Sequence, residues 1–284
     1  MHDNGLFQFF PKYADEEGFL NVKELAPKQR HWRKVEKIKV KEGEFSGIYY
    51  VKKCYNQEHL AEILESQIFA DFFPNTAIYS PAKVGNGMAV ISNDISKNSK
   101  TLDSFLESKS KVYDIIPYLL SGKFSLEELR LERFFTPEAL KEFVDMHLLD
   151  VGCGNIDRHT CNVNVETNNF IIPCFRKITG LKLFDFGCAS VFLNEEEAFK
   201  KDYDFRNGLG GGVLQSRDQM IQIFKTNELV QSFYTNAQMA EMLGGIDVHE
   251  KVVGIKEAMN FNVPQDFEDK LNYSLDYVAE ELIK

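Results

Sequence analysis

Several signals that define whole classes of protein are missing from this sequence. No positively charged start leads into an apolar segment, and no apolar run approaches the length needed to span a membrane. The five cysteines form no Cys-x-x-Cys pair and are odd in number, which favours a reduced compartment and small buried side chains. Internal repeats, low-complexity tracts and metal-binding clusters of cysteine and histidine are also missing. We therefore expect a soluble, unprocessed, cytoplasmic protein.

Composition and charge indicate which classes of protein and which binding partners fit the sequence. The chain has 284 residues, of which 44% are hydrophobic and 27% charged, as in ordinary globular proteins. Its formal net charge is −10, so its surface repels nucleic acids and anionic lipid headgroups. We expect no direct binding of nucleic acid, although the basic residues within 30–41 could form a local patch.

Two short motifs in the centre of the chain point to a specific chemistry. In the first, Asp157, His159 and Asn162 follow the order Asp-Arg-His-x-x-Asn; in the second, Asp185 begins Asp-Phe-Gly. The gap between the motifs has the length of one β-hairpin, which predicts that both Asn162 and Asp185 lie at strand ends. Amide and carboxylate oxygens are ligands that magnesium accepts beside the phosphates of a nucleotide. The two motifs together therefore predict a phosphoryl-transfer site.

The predicted hairpin has recognisable parts. Residues 161–165 alternate, Thr167-Asn168-Asn169 is turn-forming, an apolar run follows at 170–175, and 181–184 reads as a further strand. We expect the chain to turn at 167–169.

These motifs resemble those of a known superfamily. Residues 155–162, followed by 183–187, are similar to the catalytic and metal-binding loops of HipA-like kinases and of phosphatidylinositol kinases, which share the protein-kinase-like fold. Ordinary protein kinases carry His-Arg-Asp in the catalytic loop, whereas here Asn155 stands two residues before Asp157 and the histidine follows it. This departure favours the atypical branch. The resemblance is specific within 148–190 and weak elsewhere.

The resemblance implies an α+β, two-lobed protein-kinase-like fold. We expect an N-terminal arm at 1–34, a small nucleotide-binding lobe with an antiparallel sheet and one helix at 35–95, and a mainly helical catalytic lobe at 96–284. The arm either packs on the fold or binds a partner, and it gives a hint of helix at 22–25.

Residue patterns in the small lobe agree with this expectation. Alternating residues predict a β-hairpin over 35–41 and 48–54, and apolar residues at helical spacing predict a helix over 58–73. Gly85-Asn86-Gly87 between apolar runs predicts a second hairpin. By its order in the chain, 91–95 would be the hinge that contacts adenine.

Helical patterns dominate the rest of the chain. Thr136 followed by a proline is an N-cap signal, and His147 lies on the apolar stripe of the helix that follows, where a core histidine is expected. The predicted helices cover 137–150, 217–224, 236–243, 248–259 and 265–283.

The first hairpin supplies the candidate nucleotide-binding residues. Ser46 and Gly47 belong to a connection that would cover the phosphates, although it is poorer in glycine than Gly-x-Gly-x-x-Gly; Ser46 is also a candidate autophosphorylation site. Lys52 and Lys53 end the second strand on opposite faces, so only one can reach the α- and β-phosphates. Lys52 fits the pattern of the resembled families better.

The predicted helix supplies the partner of this lysine. Glu62 and Glu65 lie about a turn apart, and an active kinase needs one such carboxylate to hold the lysine in place. Glu62 is preferred because its spacing to Ser66 and Ile68 resembles the HipA-like pattern.

The resemblance implies a kinase that uses ATP and magnesium and transfers the γ-phosphoryl group to a serine or threonine of a protein. Asp157 would deprotonate the acceptor hydroxyl with assistance from His159, and Asn162 and Asp185 would hold magnesium. An antitoxin-like or regulatory partner is possible.

Three alternatives stay open. A phosphatidylinositol-type lipid kinase is disfavoured by the acidic charge and by the lack of a basic cluster near 188–215, where we expect an activation-type loop. A nucleotide-binding pseudokinase would explain the poor glycine loop. An aminoglycoside-type kinase would carry a histidine where Asn155 stands.

Overall fold

The computed structural model describes most of the chain in two compact units. The described residues are 11–27, 33–41, 46–113, 133–156, 158, 160–170, 172, 175–187, 205–206 and 214–284. The first unit comprises Met1–Ile95, Phe186–Asn194 and Asp247–Asn272, and the second comprises Ser96–Asp185, Glu195–Ile246 and Tyr273–Lys284. The lobe boundaries expected from the sequence stay a prediction.

A five-stranded sheet forms the centre of the first unit. Its strands are β1 (Leu20–Asn21), β2 (Val35–Val40), β3 (Gly47–Lys53), β4 (Tyr79–Val84) and β5 (Gly87–Asn93), in the order β1-β4-β5-β3-β2. Both predicted hairpins are confirmed, because β2 pairs antiparallel with β3 and β4 with β5. In the second hairpin Val84 is paired with Gly87, so Gly85 and Asn86 form the turn. Gly85 has a φ of +64°, which glycine adopts without steric cost.

Two helices accompany this sheet. The predicted helix is confirmed as α2 (Glu58–Phe72), which is buried along most of its length and contacts β4 and β5. A later helix, α8 (Val248–Met259), packs against α2 within the same unit. Because α2 is enclosed by the sheet and α8, its glutamates are removed from water, and a carboxylate in that position needs a partner.

The N-terminal segment 11–27 packs on the first unit, as one of the two interpretations of the arm expects. It contains a 3-10 turn (Pro11–Tyr13), β1 and the short helix α1 (Val22–Leu25), which lies at the position where a short helix was indicated. β1 pairs parallel with β4 and its Leu20 is fully buried. Gly18 has a φ of +82°, and a Cβ there would lie 2.5 Å from the carbonyl oxygen of Met259. The close approach explains why a glycine occupies this position.

The second unit is mainly helical. Its small sheet has the strand order β6-β7-β8. Most of its helices lie where the sequence predicted them, with first and last residues that differ by a few positions. The elements are β6 (Lys100–Thr101), α3 (Leu102–Tyr113), α4 (Pro137–Cys153), β7 (Val163–Thr167), β8 (Ile178–Leu183), β9 (Phe205–Arg206), β10 (Leu214–Gln215), α5 (Arg217–Thr226), α6 (Glu228–Phe233), α7 (Asn236–Gly244) and α9 (Gln265–Ile283), the last divided between the units.

Helix ends in this unit follow the predicted capping chemistry. The Thr136 side chain accepts a hydrogen bond from the Ala139 N–H, which confirms the N-cap of α4. Gly154 ends α4 with a φ of +80°. The short helix α6 was not predicted; its N-cap Asn227 accepts hydrogen bonds from two backbone N–H groups. Among the described residues, the helices fall short of the combination of length and apolarity that a bilayer crossing requires.

The hairpin of the second unit differs from the prediction in one respect. β7 and β8 pair antiparallel as expected, but β8 begins at Ile178 and the chain does not turn tightly at 167–169. The connection instead covers 168–177 and includes the apolar run. The turn-forming residues at 167–169 correctly indicated where the connection starts, but they did not indicate that it continues to 177.

Candidate functional site

A buried ion-pair cluster joins β3 to α2 in the first unit. The Lys52 ammonium contacts Glu62 Oε1 and lies 3.2 Å from Glu58 Oε1. Glu58 and Glu62 are four residues apart on α2, so both face the same strand. The structure brings the preferred pair, Lys52 and Glu62, into contact, and their role in nucleotide binding stays a prediction. Glu58, which the sequence reasoning did not consider, is a second carboxylate on the same lysine.

Glu62 also binds the backbone that follows Asp185. Its second oxygen, Oε2, accepts a hydrogen bond of 2.8 Å from the Phe186 N–H, and Glu62 itself is fully buried. The Phe186 ring lies 5.0 Å from Phe69 and 6.3 Å from Tyr79, measured between ring centroids. One carboxylate therefore connects the lysine of β3 to the backbone of the Asp-Phe-Gly motif.

Gly187 completes this cluster by leaving room for the glutamates. A Cβ on Gly187 would lie 2.5 Å from Glu58 Cγ and 3.0 Å from Glu62 Oε1. Contacts this short are not tolerated, so a larger residue would displace the carboxylates. The glycine of the motif is thus required by packing around Lys52.

The two candidate magnesium ligands lie at the same end of the β7–β8 hairpin in the second unit. Val163 is paired with Leu183, so Asn162 precedes one strand and Asp185 follows the other. Asn162 is buried and Asp185 half-buried. Asp185 has a φ of +64°, a left-handed conformation that aspartate adopts more readily than most residues. Both side chains offer the hard oxygen atoms that magnesium prefers.

These two residues would hold a metal ion only with further ligands. In the part of the chain that the structure describes, no group of three histidine, cysteine, aspartate or glutamate residues could hold an ion. Magnesium commonly takes one or two protein oxygens and completes its shell with phosphate oxygens and water. The donor set therefore fits a magnesium–nucleotide complex better than a structural ion.

A buried arginine network holds this end of the hairpin, and the sequence reasoning missed it. Arg158 is 1% exposed and binds Asp150 through two nitrogens, with Nε–Oδ2 and Nη2–Oδ1 distances of 3.0 Å. Its Nη1 donates to the carbonyl oxygens of Phe184 at 2.7 Å and Asn162 at 3.3 Å. Asn155 donates to the same aspartate at 3.0 Å. One side chain thus fixes the backbone next to both candidate ligands.

The charges of this network are balanced. Burial raises the pKa of Asp150, and the opposing effects of Arg158 and Asn155 favour the ionised carboxylate. His147, one turn earlier on α4, is confirmed as a core residue: its ring lies 4.7 Å from that of Phe143. Burial first and the charge of Arg158 second lower the pKa of His147 to about 3, so the ring is neutral.

The remaining predicted residues have less structural support. Asp157 and His159, the candidate catalytic residues, lie outside the described residues. Ser46 is exposed, and Gly47 begins β3 opposite Val40, at the predicted phosphate-covering connection. Their roles stay predictions.

Comparisons with known proteins address the fold. No protein-family model and no curated protein sequence matches the chain. The solved structure of the Helicobacter pylori proinflammatory kinase CtkA is similar, with a TM-score of 0.51 and 14% identity, covering 93% of this chain and 98% of CtkA. Shewanella oneidensis HipA, solved with HipB and operator DNA, has a TM-score of 0.46 and 11% identity over 89% of this chain and 64% of HipA. The Mycobacterium tuberculosis PknI kinase domain has a TM-score of 0.32 and 12% identity, covering 88% of this chain and 91% of the PknI domain.

The likeness to CtkA extends over nearly the whole of both chains, and at 14% identity it shows the fold alone. The elements agree with it: a five-stranded sheet with helix α2 in one unit, and a mainly helical second unit with a small sheet. The chain has the α+β protein-kinase-like fold.

Proposed function

We propose that this protein is an ATP- and magnesium-dependent phosphotransferase that modifies serine or threonine hydroxyls of proteins. The observation that carries the proposal is the contact of Lys52 with Glu62, whose other oxygen accepts the Phe186 N–H. A kinase fold needs its strand lysine held by a helix glutamate beside the Asp-Phe-Gly motif before it can transfer phosphate. Residues that served only to solvate the surface would not be buried in this way.

Each residue has a specific role in the proposed reaction. Lys52, held by Glu62, would position the α- and β-phosphates of ATP. Asn162 and Asp185 would bind magnesium, which when bound neutralises negative charge on the phosphates. Asp157 would accept the proton of the attacking hydroxyl as its oxygen bonds to the γ-phosphorus and the bond to ADP breaks. His159 would assist Asp157.

The nature of the acceptor rests on sequence. The similarity of residues 155–162 to HipA-like kinases supports a protein hydroxyl and an antitoxin-like or regulatory partner. The net charge of −10 weighs against an inositol lipid as the substrate, because substrate lipids of that class are polyanionic. A cytoplasmic location is part of the same proposal.

The test is phosphate transfer from labelled ATP by the full chain. The assay offers the protein itself, bulk protein and inositol lipids as acceptors, with and without magnesium. We expect labelled protein, and we expect Lys52→Met to lower the rate at least about 100-fold, since the nucleotide would lose its main phosphate contact. Lys53→Met is the matched control, because this neighbouring lysine lies on the other face of β3, and it should retain most of the activity.

Different failures of this assay have different meanings. Label in lipid alone would replace the protein substrate by an inositol lipid. Thermal stabilisation by ATP and magnesium without transfer to any acceptor would indicate a pseudokinase. Equal activity of the Lys52 and Lys53 variants would contradict the proposed site itself.

A further inference from the structure

Three large apolar side chains are exposed on one connection of the second unit. In the connection 168–177, Phe170 is 56% exposed, Ile172 55% and Phe175 61%. The other exposed large hydrophobic residues of the described chain are scattered, which is normal for a protein surface. A cluster of three is not, and such clusters mark interaction sites. We call these three residues the apolar tip.

The backbone of this connection is held by its own hydrogen bonds. The Asn168 N–H donates to the Lys177 carbonyl at 3.1 Å, and the Lys177 N–H donates to Asn168 Oδ1 at 3.0 Å. Arg176 Nε donates to the Phe170 carbonyl at 2.8 Å. The apolar side chains are therefore presented by a closed loop, and several of its backbone polar groups need no water.

Positive charge lies directly behind the apolar tip. Arg176 and Lys177 follow it in sequence, and Lys100 of β6 belongs to the neighbouring strand. Lys100 is paired with Val165, two residues before the end of β7, and burial first and the charge of Arg176 second lower its pKa. Neither Lys100 nor Arg176 forms an ion pair with a carboxylate in the described part of the chain. We call Lys100, Arg176 and Lys177 the cationic base.

We propose that the apolar tip and the cationic base together bind the surface of a bilayer that contains anionic lipids. Aromatic and aliphatic side chains enter the headgroup–acyl boundary, and cations placed behind them meet the lipid phosphates and carboxylates. Internal hydrogen bonding of the loop backbone lowers the cost of leaving water. Lys100 and Arg176, which form no ion pair with a carboxylate among the described residues, complement an anionic surface. These observations favour lipid over a protein partner.

The net charge of −10 opposes the approach of the chain to an anionic surface, but it does not decide the contact itself. Charges are screened beyond about 8 Å at physiological ionic strength, so the groups next to the membrane determine the electrostatic part of the binding free energy. The apolar tip also lies at the far end of β7 and β8 from Asn162 and Asp185, separated by the length of the strands. Binding through it would leave that end of the hairpin unobstructed. The proposal does not depend on the proposed phosphotransfer.

The test is sedimentation of the full chain with vesicles. We would compare phosphatidylcholine vesicles with vesicles of phosphatidylcholine and phosphatidylserine, and expect binding to the mixed vesicles that weakens with salt. The double variant Phe170→Ser/Phe175→Ser should lower the partition coefficient at least about tenfold. Lys100→Gln should lower it roughly fivefold, since one cation near the surface contributes about that much. Tyr273→Ser, at an exposed aromatic outside the connection, is the matched control and should bind like the wild type.

Three results would overturn the proposal. The first is that the wild type binds neither kind of vesicle, and the second is that the double variant binds as well as the wild type. The third is that light scattering shows self-association of the wild type, and that the double variant no longer self-associates. The last would identify the apolar tip as a contact between copies of the chain. Thermal unfolding of each variant excludes loss of the fold, and phosphate transfer to a dissolved protein acceptor should not change in any of them.

Discussion

Each of the two units contains a buried cluster of charged residues, and the two clusters differ in the number of carboxylates that contact the cation. In the second unit, Arg158 meets one carboxylate and two backbone carbonyls, so its charge is balanced. In the first unit, Lys52 meets two carboxylates. Lys34 lies 3.9 Å from Glu58, but its side chain is 60% exposed and contributes little. Among the described residues, the first cluster thus sets two buried carboxylates against one lysine, and the second sets one carboxylate against one arginine.

The difference indicates what each cluster does. A balanced, fully hydrogen-bonded cluster holds the backbone in one arrangement and has little to gain from a further ligand. Two carboxylates that contact one lysine hold its ammonium group in place, and this arrangement responds to any change in the neighbouring charges. We therefore expect the arginine cluster to dominate stability and the lysine cluster to dominate activity.

The largest effect is expected from removing the arginine. Arg158→Met leaves Asp150 buried without its cation, which should lower the free energy of unfolding by about 3–5 kcal/mol in denaturant titrations. Asp150→Leu/Arg158→Met removes both charges and should recover most of this loss. Arg133→Met, at an exposed arginine, should change stability by less than about 0.5 kcal/mol. If the single and double variants were equally unstable, the loss would come from packing and not from an unpaired charge.

A smaller effect is expected from crowding the lysine cluster. In Gly187→Ala the new Cβ meets Glu58 Cγ, and we expect a loss of about 1–3 kcal/mol in unfolding free energy. Adding Glu58→Ala should restore part of the loss, because the clashing group is gone. Gly254→Ala on α8 is the control: nothing lies within 4 Å of its added Cβ, and alanine favours the helix by roughly 0.5–1 kcal/mol. Equal losses in Gly187→Ala and the double variant would show that Glu58 is not the group displaced.

The effect that is smallest at neutral pH, and that grows as the solution becomes acidic, is a dependence of stability on pH from His147. Its pKa is about 3 in the folded protein against 6.5 for an ordinary histidine, so the unfolded chain binds the proton more strongly. The stabilisation is complete above 6.5 and is lost as pH falls from 6.5 towards 3, by at most about 1.4 kcal/mol per pH unit.

The measurement for this prediction compares wild type with His147→Leu. The difference between their unfolding free energies should shrink as pH falls through this window, because only the wild type gains a proton on unfolding at this position. Other groups that titrate, such as His59 with its pKa lowered by burial, are common to both proteins and cancel. A difference independent of pH would mean that the His147 ring is already charged in the folded state.

Local patterns were sufficient to predict much of the architecture. Period-two alternation marked β2 and β3, helical spacing marked α2, and threonine before proline marked the start of α4. The preferred lysine and glutamate meet because the positions of both are fixed by regular elements whose registers follow from sequence. Where regular structure and motif coincide, the sequence alone was a reliable guide to the contact.

Features that depend on distant residues were not predicted. The network of Arg158 depends on Asp150, Asn155 and the end of β8. Most arginines of a folded protein are exposed, so the sequence of a loop does not indicate that its arginine is buried. β1 has two residues, too few for any periodic pattern. The apolar run at 170–175 was read as part of a hairpin because apolar residues usually pack inward, yet its described members face solvent.

The position of Gly18 has a consequence for how the protein is made. Gly18 lies against Met259, the Asn260 side chain donates to the Glu16 carbonyl at 3.2 Å, and the rings of Phe19 and Phe261 meet edge to face at 5.2 Å. Neighbours so far apart in sequence come together late, because a long loop must close first. During translation β1 can pair with β4 once β4 has been made, whereas the contacts of residues 16–19 with 259–261 form only after residue 261 has left the ribosome. Until then the side of Phe19 that meets Phe261 is open to chaperones.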